Sequence, residues 1–299
     1  MPQYYFDWFL NRLRDGYVLV RNPAKGGAIR CVPLSPDVLD GIVFWTKNPA
    51  PMLDRLPELA AYPYYVQFAI NPYDNEMESA LPPREERIET FLRLSEAAGA
   101  ERTVWRYSPL LLSPKYTPAF HAAQFAEIAE RLRGATTTCN LSFLDMYGKI
   151  REAMRTMQVE ETSKGQKRLI AGELAKIAAE NGIELRACCD AQLLAEGIPP
   201  ARCVSAELLS QIAGKRLSVP KDAHQRPACL CAESVDVGAY DTCPNGCRYC
   251  YANHSAATAR TRSERHDPAS PILGDGITQD DRIVDRKCRS HVDRQMTLF

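Results

Sequence analysis

Three cysteines near the end of the sequence are spaced like the ligands of a soft metal. Cys243, Cys247 and Cys250 lie in the stretch TCPNGCRYC, with three residues between the first pair and two between the second. The glycine in this stretch allows the tight backbone turn that aims several thiolates at one point. Structural zinc usually takes four protein ligands, so three cysteines leave one position open, as they would on a [4Fe–4S] cluster. The spacing predicts a metal centre and leaves zinc and iron–sulfur as alternatives.

Four further cysteines precede this stretch and predict a second metal site. Cys188 ends a predicted strand, Cys203 follows it, and Cys229 and Cys231 stand one residue apart. A single cysteine is most often a buried structural thiol, but four in one region favour a second [4Fe–4S] cluster, with zinc or Cys189 as variations. The other cysteines are interpreted as incidental, namely Cys31, Cys139 and Cys288.

The composition is that of a globular protein with one large domain. Of 299 residues, 45% are apolar and 25% are charged, and Lys plus Arg equal Asp plus Glu at 37 each. This balance gives no overall field that would favour a nucleic acid or an acidic membrane surface. The first residues lack a secretory pattern, and no apolar stretch is long enough to cross a bilayer. We expect a cytoplasmic protein without a membrane partner, and in that reducing compartment clustered cysteines indicate metal more than disulfides.

Short β-branched and aromatic stretches alternate with helical patterns along the chain. Three predicted helices end at a glycine, as in REERIETFLRLSEAAG. The predicted strands cover residues 41–48, 64–71, 102–109, 136–145, 182–189 and 234–240. This order predicts βα units and a parallel sheet, which six strands could form as a closed barrel or as an open doubly wound sheet.

Polar side chains stand where these predicted strands end. In either architecture ligands gather at the carboxyl ends of the strands. Lys47 and Arg106 are candidate catalytic residues on this argument, with a salt-bridged strand terminus as the alternative interpretation of each. Other side chains at such positions are Gln67, Asn71, Asp145 and Cys188.

The stretch GCRYCYA resembles the cluster loop of radical S-adenosylmethionine enzymes. In that superfamily three cysteines hold three irons of a [4Fe–4S] cluster, and S-adenosylmethionine chelates the fourth. The resemblance implies that Cys243, Cys247 and Cys250 are the cluster ligands and that Tyr249 lies against the adenine. It also implies an electron donor such as flavodoxin or ferredoxin. No GGE-like strand for the amino group of S-adenosylmethionine is present in the sequence.

The late position of the cluster loop implies a rearranged barrel. In the superfamily this loop follows the first barrel strand, whereas here the other predicted strands precede it. The resemblance therefore implies a circularly permuted partial TIM barrel, an order tolerated when chain termini lie close together. We expect one barrel-like domain over residues 1–255, with the cluster loop at 240–255, and a helix and tail over 256–299 that wrap this domain.

Several longer stretches resemble the DUF1848 family, a bacterial family of unknown function. They include RNP, VFWTKNP, LLLSPKYT, SFLD, KDAHQR and SVDVGAY, and the resemblance covers nearly the full length. It implies an architecture and no substrate. Relatives carry a further strand upstream with an RRTDIP-like stretch, so Met1 is expected to be an internal methionine.

The last residues, RQMTLF, resemble the short motif by which DNA polymerases and repair proteins dock on the sliding clamp. Gln295, Leu298 and Phe299 are the expected contacts, and a tail that packs on its own domain is the alternative. The sequence as a whole predicts a radical S-adenosylmethionine enzyme that forms a 5′-deoxyadenosyl radical, with an unknown substrate and a link to DNA through this tail. The competing interpretation is a non-catalytic iron–sulfur protein for electron transfer or redox sensing.

Overall fold

The computed structural model describes residues 2–21, 28–274 and 276–293. The helices are α1 (Pro2–Asp15), α2 (Arg84–Ala98), α3 (Pro118–Arg131), α4 (Arg151–Thr156), α5 (Lys164–Glu180), α6 (Ala191–Ala195), α7 (Ala206–Ala213) and α8 (Ala256–Glu264). The strands are β1 (Tyr17–Arg21), β2 (Ile29–Pro33), β3 (Ile42–Thr46), β4 (Tyr64–Ala69), β5 (Thr103–Leu110), β6 (Thr138–Phe143), β7 (Glu184–Ala187) and β8 (Ile283–Asp285). Two 3₁₀ helices span Ala50–Leu59 and Ala100–Arg102.

A parallel sheet of five strands lies at the centre of the molecule. Its spatial order is β3-β4-β5-β6-β7, the same as the order along the chain. Each pair is parallel, as where Ile42 lies opposite Tyr64 and Trp105 opposite Cys139. Parallel neighbours need a crossover, and helical segments supply it between every pair. Five of the six predicted strands are therefore confirmed, together with the alternation of strand and helix.

The two faces of this sheet have different chemistry because successive side chains point to opposite sides. Trp105 and Tyr107 face the main apolar core, which holds the buried sides of α1, α2, α3 and α5. The intervening Val104 packs instead with Leu209 of α7 and Leu217. The helix-covered face stabilises the sheet, and the opposite face carries most of the polar side chains described below.

The sixth predicted strand is not formed. Residues 234–240 have no ladder partner, and the described sheet remains open with β3 and β7 as its edges. Val235, Val237 and Ala239 still pack against the main core, which explains the alternating pattern. The backbone N–H of Gly238 donates to Asp236 Oδ1 at 2.8 Å, a local bond that competes with strand pairing. Of the two architectures that six strands could form, no closed barrel is found among the described residues, where the parallel sheet is open.

A small second sheet was not predicted. It contains the antiparallel pair β1–β2, with β8 added parallel to β2. Residues after α8 run along α1 and this sheet: Trp8 Nε1 donates to the Ser270 carbonyl at 2.7 Å, and the Leu19 N–H donates to the Pro271 carbonyl at 2.8 Å. Within the described ranges no helix has both the length and the apolar character to cross a membrane.

Candidate metal centre

The loop that carries the cysteine triad is fastened to the segment after β4. The Arg248 N–H donates to the Met77 carbonyl at 3.0 Å, and the Ala80 N–H donates to the Asn245 carbonyl at 3.1 Å. Glu78 lies opposite Cys247 in an antiparallel bridge. The loop is thus held by backbone hydrogen bonds as well as by its own turns.

Gly246 makes the tight turn between the first two cysteines of the triad. Its φ is +67°, in the left-handed region that a residue with a side chain adopts at a cost. A Cβ at this position would also collide with Ser79 Oγ. The turn therefore requires glycine, as its place within the cysteine spacing indicated.

Glu78 is the centre of a buried polar network beneath this loop. The side chain is 1% exposed, and its carboxylate accepts from Lys47 Nζ at 2.8 Å, from Arg87 at 3.3 Å and from the hydroxyl of Tyr249. Asn71 Nδ2 donates to the same carboxylate at 3.1 Å. Burial alone would raise the pKa of Glu78, but the charges of Lys47 and Arg87 outweigh it and lower the pKa below its ordinary value.

Tyr249, between the last two cysteines, points into the protein. It is 7% exposed and packs among Tyr73, Met77 and Ile150. Burial raises the pKa of its hydroxyl well above the ordinary value. Lys47 Nζ lies 5.4 Å from the centre of its ring. The structure therefore places Tyr249 as an anchor for the loop, with little ring surface exposed to a ligand such as adenine.

The three thiols of the triad are half-buried and influence one another. Burial raises the pKa of Cys247 to about 12, the Lys47 charge opposes that rise, and Cys243 and Cys250 add to it. The pKa of Cys243 is raised by burial and by Cys250, and Lys47 again opposes the rise. As the side chains of the described residues are placed, no set of three or more His, Cys, Asp or Glu could hold a metal ion. The loop supplies the donor atoms and a nearby cation, without a closed coordination geometry.

The second cysteine set is gathered around Cys203. Cys203, Cys229 and Cys231 are buried and pack with Cys188 and Cys189. Cys188 Sγ lies 3.4 Å from Cys203 Sγ, and the Val204 N–H donates to Cys231 Sγ at 3.4 Å. All four predicted ligands thus come together on the polar face of the sheet.

Arg106 belongs to this second set. It donates to Cys203 Sγ at 2.9 Å and to Gln67 Oε1 at 2.7 Å. Hydrogen bonds from Cys188 and Cys231, together with the Arg106 charge, lower the pKa of Cys203 well below its ordinary value. The two candidate catalytic residues are therefore separated, with Lys47 at the triad and Arg106 at the second set.

Comparison with protein families settles the membership of the chain. A family model described as "Domain of unknown function (DUF1848)" matches residues 1–252. The chain belongs to the DUF1848 family. The matched region of this DUF1848 protein includes both cysteine sets and ends two residues after Cys250. Searches of curated proteins and of solved structures give no match.

Some residues of the DUF1848 site were missed by sequence reasoning. Glu78 stood in no motif, and Arg87 stood in the predicted helix REERIETFLRLSEAAG without an assigned role. Asp145, a strand-end candidate, is instead an exposed partner of Arg226. The clamp-binding prediction for Gln295, Leu298 and Phe299 falls outside the described residues.

Proposed function

We propose that this DUF1848 protein is a radical S-adenosylmethionine enzyme whose cluster ligands are Cys243, Cys247 and Cys250. The supporting observation is the location of Tyr249, within the triad loop. Its hydroxyl contacts Glu78, which accepts from Lys47, and it lies 3.3 Å from Asn71 Nδ2. Lys47 directly follows the carboxyl end of β3, and Asn71 lies two residues after the carboxyl end of β4. The loop is thus fixed where parallel sheets bind their ligands.

The fold supports a permuted partial barrel for this reaction. The five parallel strands keep their chain order, and the longer helices α1, α2, α3 and α5 pack on one face. The other face presents polar side chains, including Gln67, Arg106 and Asn140, which contact one another. A layer of helices on the outer face of a parallel sheet is a feature of (β/α) barrels.

The chain's own residues would prepare the triad for a cluster. When bound, a [4Fe–4S] cluster supplies the electron that cleaves S-adenosylmethionine and yields a 5′-deoxyadenosyl radical. Each thiol must lose its proton to act as a ligand. Lys47 favours that loss at Cys243 and Cys247, and Glu78 holds Lys47 in place. The half-buried position of the three cysteines limits the access of water to the thiolates.

Reconstitution under anaerobic conditions tests this proposal. We expect the triple variant Cys243→Ala/Cys247→Ala/Cys250→Ala to lose about four irons per chain and to lose binding of labelled S-adenosylmethionine in equilibrium dialysis. Cys31→Ala is the matched control and should retain both, because Cys31 lies in β2 and packs against the small second sheet. Iron bound by the triad without any binding of S-adenosylmethionine would instead favour an electron-transfer or redox-sensing protein.

A further inference from the structure

The second cysteine set has a role that does not depend on the proposed enzyme activity. We infer that Cys188, Cys203, Cys229 and Cys231 bind a soft metal centre whose negative charge is balanced by Arg106. The ligand chemistry is thiolate coordination, which suits either zinc or an iron–sulfur cluster. This centre is distinct from the triad because its thiols come from other segments and contact a different cation.

The backbone segments that carry these thiols are fixed in place. The Cys203 carbonyl accepts from the hydroxyl of Tyr65 at 2.6 Å and from the side-chain amide of Gln67, both on β4. The Cys188 N–H donates to the Leu141 carbonyl at 2.8 Å. On the other side, the Ala232 N–H donates to the Val204 carbonyl at 2.9 Å. Three separate segments are therefore held together around the thiols before any metal binds, as a preorganised site requires.

The charge of Arg106 indicates what completes the site. Its guanidinium contacts Cys203 Sγ, Gln67 Oε1 and, at 3.4 Å, Ser108 Oγ. Among the residues that the structure describes, no carboxylate is within ion-pair distance of Arg106. A partly buried cation without a carboxylate needs another anion, and the sulfur of Cys203, which Arg106 contacts at 2.9 Å, supplies it when it is a thiolate. Zinc with four thiolates, or a cluster with four thiolates, carries a net negative charge and meets that need.

Metal binding requires the four thiols to converge further than they do without a metal. Cys188 and Cys203 already lie with their sulfur atoms 3.4 Å apart, and Cys231 packs in the same buried cluster. The described thiols do not yet converge on one point, so a metal must draw Cys229 and Cys231 toward the other two. Each thiol releases its proton when it becomes a ligand.

The test uses the full chain with the triad removed by Cys243→Ala/Cys247→Ala/Cys250→Ala, so that any remaining metal belongs to the second set. One preparation is supplied with zinc in air and another with iron and sulfide under anaerobic conditions. We expect about one zinc or about four irons per chain, measured by mass spectrometry of the metal. Which preparation retains metal after gel filtration identifies the centre.

Further substitutions in that background assign the ligands. Cys203→Ser or Cys231→Ser should reduce bound metal at least tenfold, and Cys31→Ser should not. Arg106→Gln should also reduce it, whereas Arg106→Lys, which keeps the charge, should restore most of it. When Cys188, Cys203, Cys229 and Cys231 are all present, bound metal should protect them from alkylation. This measurement does not depend on the folding of any variant of these four cysteines.

Two results would overturn the inference. One is the absence of bound metal in both preparations of the triad-free protein, with a Cys188–Cys203 disulfide in the preparation made in air. The other is bound metal that neither Cys203→Ser nor Cys231→Ser changes. Failure of the wild-type protein to bind S-adenosylmethionine leaves these outcomes unaffected, so the two proposals can fail separately.

Discussion

Glu78 shows how one side chain can position a whole loop. Its four partners are Lys47, Asn71, Arg87 and Tyr249, which are drawn from both ends of the chain. With so many donors and two cations, the carboxylate is ionised although it is buried. The triad loop is therefore anchored by a hydrogen bond from Tyr249 to a buried carboxylate, and the same carboxylate holds Lys47 by an ion pair.

Replacing Glu78 with glutamine should destabilise the protein while preserving its shape. Glu78→Gln leaves Lys47 and Arg87 without their anion, and removal of one partner from a buried ion pair costs about 3 kcal/mol. Glu76→Gln is the control, because Glu76 is exposed and its pair with Lys115 contributes little. Urea unfolding measures both variants. Equal effects of the two substitutions would refute the role assigned to Glu78.

His121 is buried and neutral, which makes stability depend on pH. Its ring contacts the Tyr107 hydroxyl at 2.7 Å and the Leu111 carbonyl at 2.8 Å. Burial lowers the pKa of His121 from 6.5 to about 4. A depressed pKa means that protonation favours the unfolded chain, so stability is complete above about pH 6.5 and is lost as pH falls toward about 4.

His121→Gln should remove this pH dependence. For the wild type we expect the free energy of unfolding to be about 2 kcal/mol lower at pH 5 than at pH 7.5 through His121 alone. Glutamine does not titrate, so between pH 7.5 and pH 5 the free energy of unfolding should fall by about 2 kcal/mol less in the variant than in the wild type. Urea unfolding at both pH values provides the comparison. Identical pH slopes in the two proteins would show that His121 is not the responsible group.

At the level of elements, polar contacts connect the two cysteine sets across one face of the sheet. Asn71 lies 3.3 Å from the Tyr249 hydroxyl, and its Oδ1 accepts from the Ser108 N–H at 2.9 Å. Arg106 reaches Ser108 on one side and Cys203 on the other. The path runs across neighbouring strands, so it depends on their register and could not be read from spacing along the chain.

Gly246→Ala tests whether the turn sets the geometry of the triad. We expect the substitution to destabilise the protein by about 1–3 kcal/mol, since φ is +67° and the new Cβ meets Ser79. It should also lower the iron bound after reconstitution. Gly172→Ala, in α5 with open space around it, should instead stabilise by about 0.5–1 kcal/mol. Full iron content in Gly246→Ala would mean that the turn is not needed.

The elements show where sequence patterns were sufficient and where they were not. The helices α2, α3 and α5 and five strands were predicted from their sequence patterns. The helix α1 was not predicted, and all six residues of β4 are buried, so no alternation of burial marks that strand. Residues 234–240 share the period of a strand, yet Asp236 bonds to Gly238 and the segment stays unpaired. Whether a segment pairs as a strand depends on the backbone that lies beside it in space, and the local sequence pattern carries no information about that backbone.

Over the whole molecule, cysteine spacing predicted which residues would be gathered but not what surrounds them. The four cysteines of the second set lie together, as expected from their number. Their cation, Arg106, was predicted to be catalytic because it lies near the carboxyl end of a strand. Its actual partner, Cys203, is 97 residues away in sequence. Contacts of that range are set by tertiary packing, so spacing alone could not assign them.

The end of the chain gives a prediction about assembly. Deletion of residues 295–299 should abolish binding to the sliding clamp of the host, because Leu298 and Phe299 are the expected anchors and Gln295 sets the register. The melting temperature should stay nearly unchanged. Surface plasmon resonance with purified clamp and calorimetry measure the two effects. A lowered melting temperature after the deletion, with no clamp binding by the intact chain, would show that the tail packs on its own domain.

The most direct measurement of the central claim is the formation of 5′-deoxyadenosine. The reconstituted protein is incubated anaerobically with dithionite and S-adenosylmethionine, and the nucleoside is quantified by liquid chromatography and mass spectrometry. We predict that the wild type and Cys31→Ala form it and that the triple variant of Cys243, Cys247 and Cys250 does not. Formation of equal amounts by the triple variant, or none by a wild type with full iron content, would contradict the account.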